Sequence, residues 1–228
     1  MKLAVIPARS GSKRIKNKNI TKVYGKPIIY YVINKLLKSK IFDKVIVSTD
    51  SDRIIDLSNK YGAETPFKRP KSLSGDKTRA SSVIKHSINY FKRKKINFEY
   101  VCCVYPTSIF LNTSYIAKAI KLLEKNKKKS FVITITQYKH PLERAFEYKK
   151  NIIKPIFPDK IKERTQDLKT FYHDAAQFYL GRSSAFEKNF EPLSDLSIPI
   201  TIDSSNVLDI DNYDDLELLK KIKQNYII

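Results

Sequence analysis

Short apolar segments rich in Val and Ile alternate along most of the chain with segments whose apolar residues recur at helical spacing. The first apolar segment, KLAVIPA, predicts a buried strand, and the apolar positions between Ile28 and Leu37 predict a helix that begins after Pro27. Further strands are predicted for KVIVSTD, YVCCVYPT and FVITITQY, and further helices for residues 51–61, 79–91 and 115–123. This alternation is typical of a three-layer α/β fold, in which helices cover both faces of a mostly parallel sheet.

The pattern breaks between about residues 139 and 181, where Pro141, Pro155 and Pro158 interrupt short segments that have no consistent period. We interpret this part as an arm inserted outside the main sheet. The alternation resumes with IPITID and then with VLDIDNYDDLELLKKI, which predicts a short extended piece followed by a final helix. The sequence therefore predicts a single domain, residues 1–228, with an inserted arm at about 139–181.

The chain is strongly basic, with 44 Lys and Arg against 23 Asp and Glu among 228 residues, a formal net charge of +21. Such a charge is typical of proteins that bind nucleic acid or another polyanion. The excess is spread over the whole chain, however, and the stretches KRKK (92–95) and KNKKKS (125–130) each follow a predicted helix, whose C-terminus favours cations. We therefore keep a nucleic-acid-binding protein as the less favoured alternative and give more weight to local charge.

The two cysteines, Cys102 and Cys103, are neighbours in a predicted strand. Adjacent side chains of a strand point to opposite faces, so we expect buried free thiols in a reducing compartment rather than a disulfide. No signal-peptide pattern precedes the first predicted strand, and no apolar stretch is long enough to cross a bilayer. The expectation is a cytoplasmic protein without a membrane partner.

A basic loop, RSGSKRIKNKN, follows the first predicted strand. In open parallel sheets, ligands bind outside the carboxyl ends of the strands, and this loop occupies such a position. Gly11 permits an unusual backbone angle or the close approach of a ligand, while Lys13, Arg14 and Lys18 supply charge for phosphate oxygens. Neither common glycine-rich phosphate-binding pattern matches. The loop predicts a phosphate-containing ligand, and the alternative is a solvated basic turn.

Two aspartates near the C-terminus, Asp209 and Asp211, lie on one face if the segment VLDI is extended. Carboxylates placed together repel unless a cation lies between them, and a hard divalent ion such as Mg²⁺ suits oxygen ligands. The alternative is that Asp211 or Asn212 caps the final helix, with Asp214 and other acidic residues in its first turn. Helix capping gives no reason for Asp209.

Five segments together resemble the CMP-sialic acid synthetase family, the nucleotidyltransferases that activate acidic sugars with CTP: IPARSGSKRIKNKNI, VSTD, YGAETPFKRP, YPTS and DID. Within that family, VCCVYPT and RTQDLKTFYHDAAQFYLG (164–181) are most similar to the members that act on pseudaminic acid. The chain departs from the family pattern at several positions, among them Ala176, where the family often has glycine. These departures concern the sugar pocket and remove no charged group.

The resemblance implies a fold like that of the nucleotide-diphospho-sugar transferases, which is Rossmann-like, and a reaction in which CTP and a nine-carbon acidic sugar give CMP-sugar and pyrophosphate. Legionaminic acid, N-acetylneuraminic acid and 3-deoxy-octulosonate are the alternative sugars. It also implies Mg²⁺ as cofactor, with Asp209 and Asp211 as its ligands. A homodimer is implied as well, in which the arm packs on the partner and helps to close its site.

The same resemblance assigns residues to three roles. Catalysis is assigned to charged groups: Arg9, Lys13, Lys18, Asp209 and Asp211. Nucleotide binding is assigned to the first loop and to the region after the second strand: Ala8, Arg9, Gly11, Ser12, Lys13, Asn19, Arg69, Ser81 and Ser82. Sugar binding is assigned mainly to the arm: Tyr105, Arg164, Gln166, Tyr172, His173, Asp174 and Gln177. The aromatic residues Phe171, Phe178 and Tyr179 are predicted to be core, and Asp50 is predicted to be structural.

Overall fold

The centre of the computed structural model, which describes residues 1–222, is a six-stranded sheet in the order β10-β6-β9-β5-β1-β4. Strands β1, β4, β5, β6 and β10 run parallel to one another, and β9 runs antiparallel between β5 and β6. Two short antiparallel pairs, β2–β3 and β7–β8, lie outside this sheet. The ten strands are β1 Lys2–Pro7, β2 Lys22–Val23, β3 Lys26–Pro27, β4 Lys44–Ser48, β5 Tyr100–Val104, β6 Phe131–Gln137, β7 Phe146–Lys149, β8 Ile152–Pro155, β9 Tyr172–Arg182 and β10 Ser197–Thr201.

Helices connect the strands at close to the predicted positions. They are α1 Ile28–Ser39, α2 Asp52–Lys60, α3 Ala80–Arg93, α4 Thr113–Lys125, α5 Ser183–Glu187 and α6 Tyr213–Lys221. Local chemistry fixes several of their ends: the Ser51 side chain accepts a hydrogen bond from the Ile54 amide at the start of α2. After α2 the chain turns at Gly62, whose φ of +88° suits glycine.

Two apolar cores lie on the two faces of the sheet. One core packs α1, α2 and α4 against one face, and the other packs α3 and α5 against the opposite face. Cys102 belongs to the first core and Cys103 to the second, both as buried free thiols, as the strand alternation predicts. The predicted three-layer, mostly parallel α/β architecture is confirmed.

A third, smaller apolar cluster joins the two ends of the described chain. Ile15 of the first loop packs with Ile210 and with Leu216 and Leu219 of α6. The first loop and the segment that carries the predicted acidic pair therefore rest on a common apolar base.

The predicted boundary of the arm is wrong at its C-terminal end. The sequence pattern places residues 172–181 in the arm, but they form most of β9, which is hydrogen-bonded on both sides within the main sheet. The strand escapes a pattern-based prediction because its register shifts: Tyr179 lies opposite Ile133, whereas Asp174 lies opposite Ile135. Between them Ala176 has a φ of +48°, so a bulge interrupts the alternation. The arm is residues 138–171 and contains the hairpin β7–β8.

Candidate active site

A cavity of about 570 Å³ lies at the edge of the sheet where β1, β4 and β5 end. Its walls come from the first loop, from Arg69 after β4, from the start of α3 and from Tyr105 to Thr107 after β5. This is the position at which open α/β sheets bind ligands, because the connections that leave neighbouring strands separate there. The basic loop identified in the sequence therefore faces a cavity of ligand size.

Asp76 forms ion pairs with two cations of the first loop. One of its carboxylate oxygens pairs with the Arg9 guanidinium and the other with the Lys13 ammonium. Hydrogen bonds from Lys13 and then Arg9 lower the pKa of Asp76 below its ordinary value. The two cations thus converge on a single oxyanion, which is the arrangement that a phosphate group requires.

A second group of contacts holds the base of this loop. Asp50, at the end of β4, accepts hydrogen bonds from the Ser10 amide at 2.8 Å and from the Ser10 hydroxyl at 2.6 Å. Burial acts to raise the pKa of Asp50, but these bonds and the charge of Arg69 bring it below its ordinary value. This accords with the structural role predicted for Asp50.

Arg69 is a buried cation on the cavity wall. It is 5 % exposed, and its guanidinium donates to the hydroxyl and the carbonyl oxygen of Ser48. Burial lowers its pKa to about 10, so the group keeps its charge at neutral pH. A charge with so little access to water interacts strongly with any anion that enters the cavity.

Lys18 connects the first loop to the acidic segment near the C-terminus. Its ammonium donates to the Ile210 carbonyl oxygen at 2.6 Å and lies 3.5 Å from an Asp211 carboxylate oxygen. The same Asp211 oxygen accepts from Arg14 at 2.7 Å. The Lys18 side chain is only 20 % exposed, in contrast to 80 % for Lys13. The predicted catalytic groups Lys18 and Asp211 are thereby brought together.

Helix capping does not account for the acidic pair. Asn212 caps α6, since its side chain accepts from the Asp215 amide and the Asp215 carboxylate accepts from the Asn212 amide, each at 2.9 Å. The Asp211 amide also donates to Asp215, which leaves the Asp211 carboxylate outside the cap. Of the two alternatives that the sequence offers, capping falls to Asn212 and leaves Asp209 and Asp211 for another role.

The charge of the pair suits a cation. Asp209 retains exposed surface, yet the protein around its carboxylate and the negative charge of Asp211 raise its pKa above the ordinary value. A cation between the two carboxylates would remove this repulsion. Within residues 1–222, no group of three or more His, Cys, Asp or Glu side chains is placed to hold a metal ion. A divalent ion here would therefore complete its ligands with substrate phosphates and water, as Mg²⁺ commonly does.

Several predicted nucleotide-binding residues lie away from the cavity wall. Ala8 is completely buried in the core, and α3 presents Ala80 and Val83 to the cavity rather than Ser81 and Ser82. Asn19 and Ser12 do line the cavity, and the Asn19 side chain donates to the Arg9 carbonyl oxygen at 3.0 Å.

Gly11 does not use the left-handed backbone angle that glycine permits. A Cβ atom there would come no closer than 3.9 Å to another group, the Arg9 guanidinium, so the fold itself does not require glycine. Close approach of a ligand at Gly11 therefore stays a prediction.

The predicted sugar-binding residues divide between the sheet edge and the exposed arm. Tyr105 lines the cavity, and burial raises the pKa of its hydroxyl. Arg164 and Gln166 are exposed on the arm, in and beside a single 3₁₀ turn at Thr165–Asp167, and Tyr172 is exposed at the start of β9. The core prediction is confirmed for Phe178 and Tyr179 but is wrong for Phe171, which is 37 % exposed at the end of the arm.

His173 and Asp174 have different surroundings. The His173 ring is half-buried against Tyr138, and its Nδ1 lies 2.9 Å from the Asp174 carbonyl oxygen. Because a carbonyl only accepts, Nδ1 carries a proton, and in the neutral ring Nε2 is then an acceptor. The Asp174 carboxylate accepts from the Tyr179 hydroxyl and from the Ala176 amide, so its hydrogen bonds serve the bulge of β9.

Pattern analysis missed three contributors to the site. Asp76 and Thr78 lie in a polar loop whose composition carries no distinctive signal, and Thr107 belongs to the quoted YPTS segment without being singled out. Only their position in the chain points to the site, because each of these residues follows a strand at the edge of the sheet where a ligand is predicted to bind.

The chain is similar to known proteins over nearly its whole length. The family model described as cytidylyltransferase matches residues 3–228. The chain is 39% identical over 222 residues to a pseudaminic acid cytidylyltransferase of Campylobacter jejuni, covering 96% of this chain and 94% of that one. It is 29% identical to an N-acylneuraminate cytidylyltransferase of Escherichia coli, covering 97% of this chain and 52% of that one. The solved structure of a CMP:2-keto-3-deoxy-manno-octonic acid synthetase complexed with CTP covers 96% of both chains with a TM-score of 0.72 at 13% identity, a likeness of fold.

Proposed function

The chain belongs to the cytidylyltransferase family, and we propose that this nucleotidyltransferase moves CMP from CTP to the anomeric hydroxyl of pseudaminic acid, with release of pyrophosphate. The observation that carries the proposal is the convergence of Arg9 and Lys13 on one oxyanion beside a cavity of about 570 Å³. The choice of sugar rests on the identity, over almost the full length, to relatives with that named activity.

The reaction needs positioning and charge neutralisation more than a covalent catalyst. As the sugar hydroxyl attacks the α-phosphorus, the bond to pyrophosphate breaks and negative charge grows on the leaving oxygens. Arg9 and Lys13 bind those oxygens in place of the Asp76 carboxylate, so the loop that holds Asp76 moves aside when CTP enters. Arg69 supplies a further positive charge from the wall, where little water screens it.

Family members generally use a divalent cation. We propose Mg²⁺ for this chain, held by the carboxylates of Asp209 and Asp211. When bound, the ion neutralises phosphate charge and so favours attack on the α-phosphorus. Lys18 and Arg14 hold Asp211 in place from the side of the first loop.

The sugar is proposed to lie between Tyr105 and the start of β9. His173 offers an acceptor at Nε2, which suits the hydroxyl and amide donors of an acylated sugar. The Asp174 carboxylate is occupied by Tyr179 and Ala176, so its contribution is to hold this part of β9 rather than to bind the sugar.

The arm is proposed to form a homodimer. Its hairpin exposes large apolar side chains, among them Tyr148 and Ile152 at 70 % each and Ile153 at 61 %. Tyr148 and Ile153 lie opposite each other on β7 and β8 and so share one face of the hairpin. Exposed apolar side chains on one face are typical of an interface. Light scattering of the wild-type chain tests this part, and a fully active monomer would contradict it.

The proposed compartment is the cytoplasm, where CTP is made and where buried free thiols such as Cys102 persist. No helix among residues 1–222 is long and apolar enough to cross a membrane.

The test of the proposed function is pyrophosphate release from CTP with four sugars separately: pseudaminic acid, legionaminic acid, N-acetylneuraminic acid and 3-deoxy-octulosonate. We expect the highest kcat/KM for pseudaminic acid. A higher value for another sugar would change the substrate and keep the reaction. No turnover with any sugar, together with nucleic-acid binding that CTP does not displace, would support the alternative drawn from the net charge.

A further inference from the structure

The segment that carries Asp209 and Asp211 has no strand partner. Residues 207–211 follow a short 3₁₀ turn, Ser204–Asn206, and form no sheet hydrogen bonds before α6 begins. Besides the apolar base under Ile210, hydrogen bonds from other parts of the fold hold the segment near both of its ends. Lys18 holds one end through the Ile210 carbonyl oxygen.

Gln177 holds the other end. Its side-chain amide nitrogen donates to the Asn206 carbonyl oxygen at 2.8 Å, and the side chain is 4 % exposed. The orientation of the amide is fixed by chemistry, since the Asn206 carbonyl can only accept and must face the nitrogen. The amide oxygen then points away from Asn206, and it has no partner within residues 1–222.

The backbone around Gln177 is itself firmly held. The Gln177 carbonyl oxygen accepts from the Ser108 hydroxyl at 2.9 Å and from the Tyr105 amide at 3.3 Å. The preceding residue, Ala176, adopts a left-handed φ of +48°, which costs a non-glycine residue energy and persists only when its surroundings require it. The bulge therefore aims the Gln177 side chain at Asn206, as bulges beside functional sites often do.

Gln177 is not among the residues that line the cavity of about 570 Å³. Gln177, Asn206 and Asp209 share a cavity of about 10 Å³ with Thr107 and Ser108, which is about the room that one water molecule needs. Gln177 and Asn206 also border a separate cavity of about 370 Å³, together with Lys35 and Asn112. The hydrogen bond to the Asn206 carbonyl oxygen is therefore the contact that assigns the buried amide to the acidic segment.

From these contacts we infer that Gln177 is a positioning residue, which holds Asn206 and thereby places the Asp209 and Asp211 carboxylates for the cation that accompanies CTP. The inference rests on the proposed function and assigns Gln177 a role other than the sugar contact implied by the family resemblance. Residues that orient a metal ligand typically contribute 10–100-fold to metal affinity.

The test measures the dissociation constant of CTP by calorimetry, once with Mg²⁺ and once with a chelator, and without sugar. The ratio of the two constants reports how much the cation strengthens CTP binding, and the value with chelator reports whether the fold and the basic loop are intact. Gln177→Leu removes the amide, whereas Gln177→Glu keeps its size, removes the donor to Asn206 and adds a negative charge. Gln137→Glu, at an exposed position at the end of β6, controls for the added charge.

We expect the ratio to fall about tenfold or more in both Gln177 variants and to stay at the wild-type value in Gln137→Glu. The constant with chelator should be unchanged in Gln177→Leu, and in steady-state assays kcat should fall while the KM for sugar stays the same. If Gln177→Leu does not fold, the ratio measured in Gln177→Glu still tests the inference.

Wild-type ratios in both Gln177 variants would overturn the inference, as would a selective rise in the KM for sugar. A wild-type protein whose CTP binding gains nothing from Mg²⁺ would overturn it too. Absence of turnover with every sugar, with the cation effect intact, would instead overturn only the proposed substrate.

Discussion

Lys13 and Lys18 belong to one loop and carry the same charge, but the structure predicts different consequences for their removal. Lys13 is 80 % exposed and pairs with Asp76 in contact with water, so its loss should leave stability unchanged. Lys18 is 20 % exposed and donates to the Ile210 carbonyl oxygen, which joins two segments 192 residues apart. The sequence alone places both lysines in one phosphate-binding loop and does not distinguish them.

The loss of stability expected on removing the Lys18 ammonium follows from that hydrogen bond. A bond from a charged donor contributes about 1.5–3 kcal/mol, and breaking it leaves the Ile210 carbonyl without its donor. For a chain of this length, 1 kcal/mol corresponds to about 2–4 °C in melting temperature, which gives a loss of roughly 3–12 °C. Substitution with methionine keeps the apolar stem of each lysine, so the comparison isolates the ammonium group.

The assay is thermal unfolding of Lys13→Met and Lys18→Met, followed by circular dichroism without nucleotide or cation, beside turnover of each variant with CTP and pseudaminic acid. Both variants should lose turnover, because both remove charge from the phosphate-binding loop. Only Lys18→Met should melt early. If it melts with the wild type, Lys18 does not hold the acidic segment, and the reasoning from its burial fails.

Three further predictions concern other parts of the molecule. The pKa of Asp209 is raised in the folded state, so its ionised form opposes folding at any pH above the ordinary carboxyl pKa. Asp209→Asn should therefore raise the melting temperature at pH 7 in the absence of cations. The gain should vanish below about pH 4, where the carboxyl group is protonated in both the folded and the unfolded state. A lower melting temperature at pH 7 would contradict this. Gly181→Ala should lower the free energy of unfolding in urea by about 1–3 kcal/mol, because a Cβ atom would meet the rings of Phe131 and Phe186. Adding Phe131→Leu should recover part of this loss. His173→Ala should raise the KM for sugar but not for CTP, and equal changes in both would indicate structural damage instead.

The strand and helix pattern could be predicted because it depends on local periodicity. KLAVIPA and KVIVSTD contain the buried runs of parallel strands, and the position of the basic loop after the first of them located the ligand edge of the sheet. The pairing of Arg14 and Lys18 with Asp211 could not be predicted in the same way, since nothing in the local sequence records a partner almost 200 residues away.

The central antiparallel strand was missed for a different physical reason. In YHDAAQFYLGR the bulge around Ala176 shifts the alternation between the two faces, so neither half of β9 shows a strand period for long enough. The resemblance supplied the residue identities of this block, but it did not reveal that Asp174 serves Tyr179 and Ala176 or that Gln177 reaches Asn206.

The arm begins and ends at one point of the sheet. Gln137 and Tyr172 lie opposite each other on adjacent strands, and the Tyr138 amide donates to the Phe171 carbonyl oxygen at 3.0 Å, so the 34 residues between 138 and 171 form one excursion from a single antiparallel pair. The chain entropy lost in closing such a loop grows only with the logarithm of its length, by about 0.6 kcal/mol for each doubling. Insertions, deletions or a complete exchange of the arm therefore change the stability of the sheet little. Evolution can therefore vary this part of the chain without rebuilding the nucleotide site.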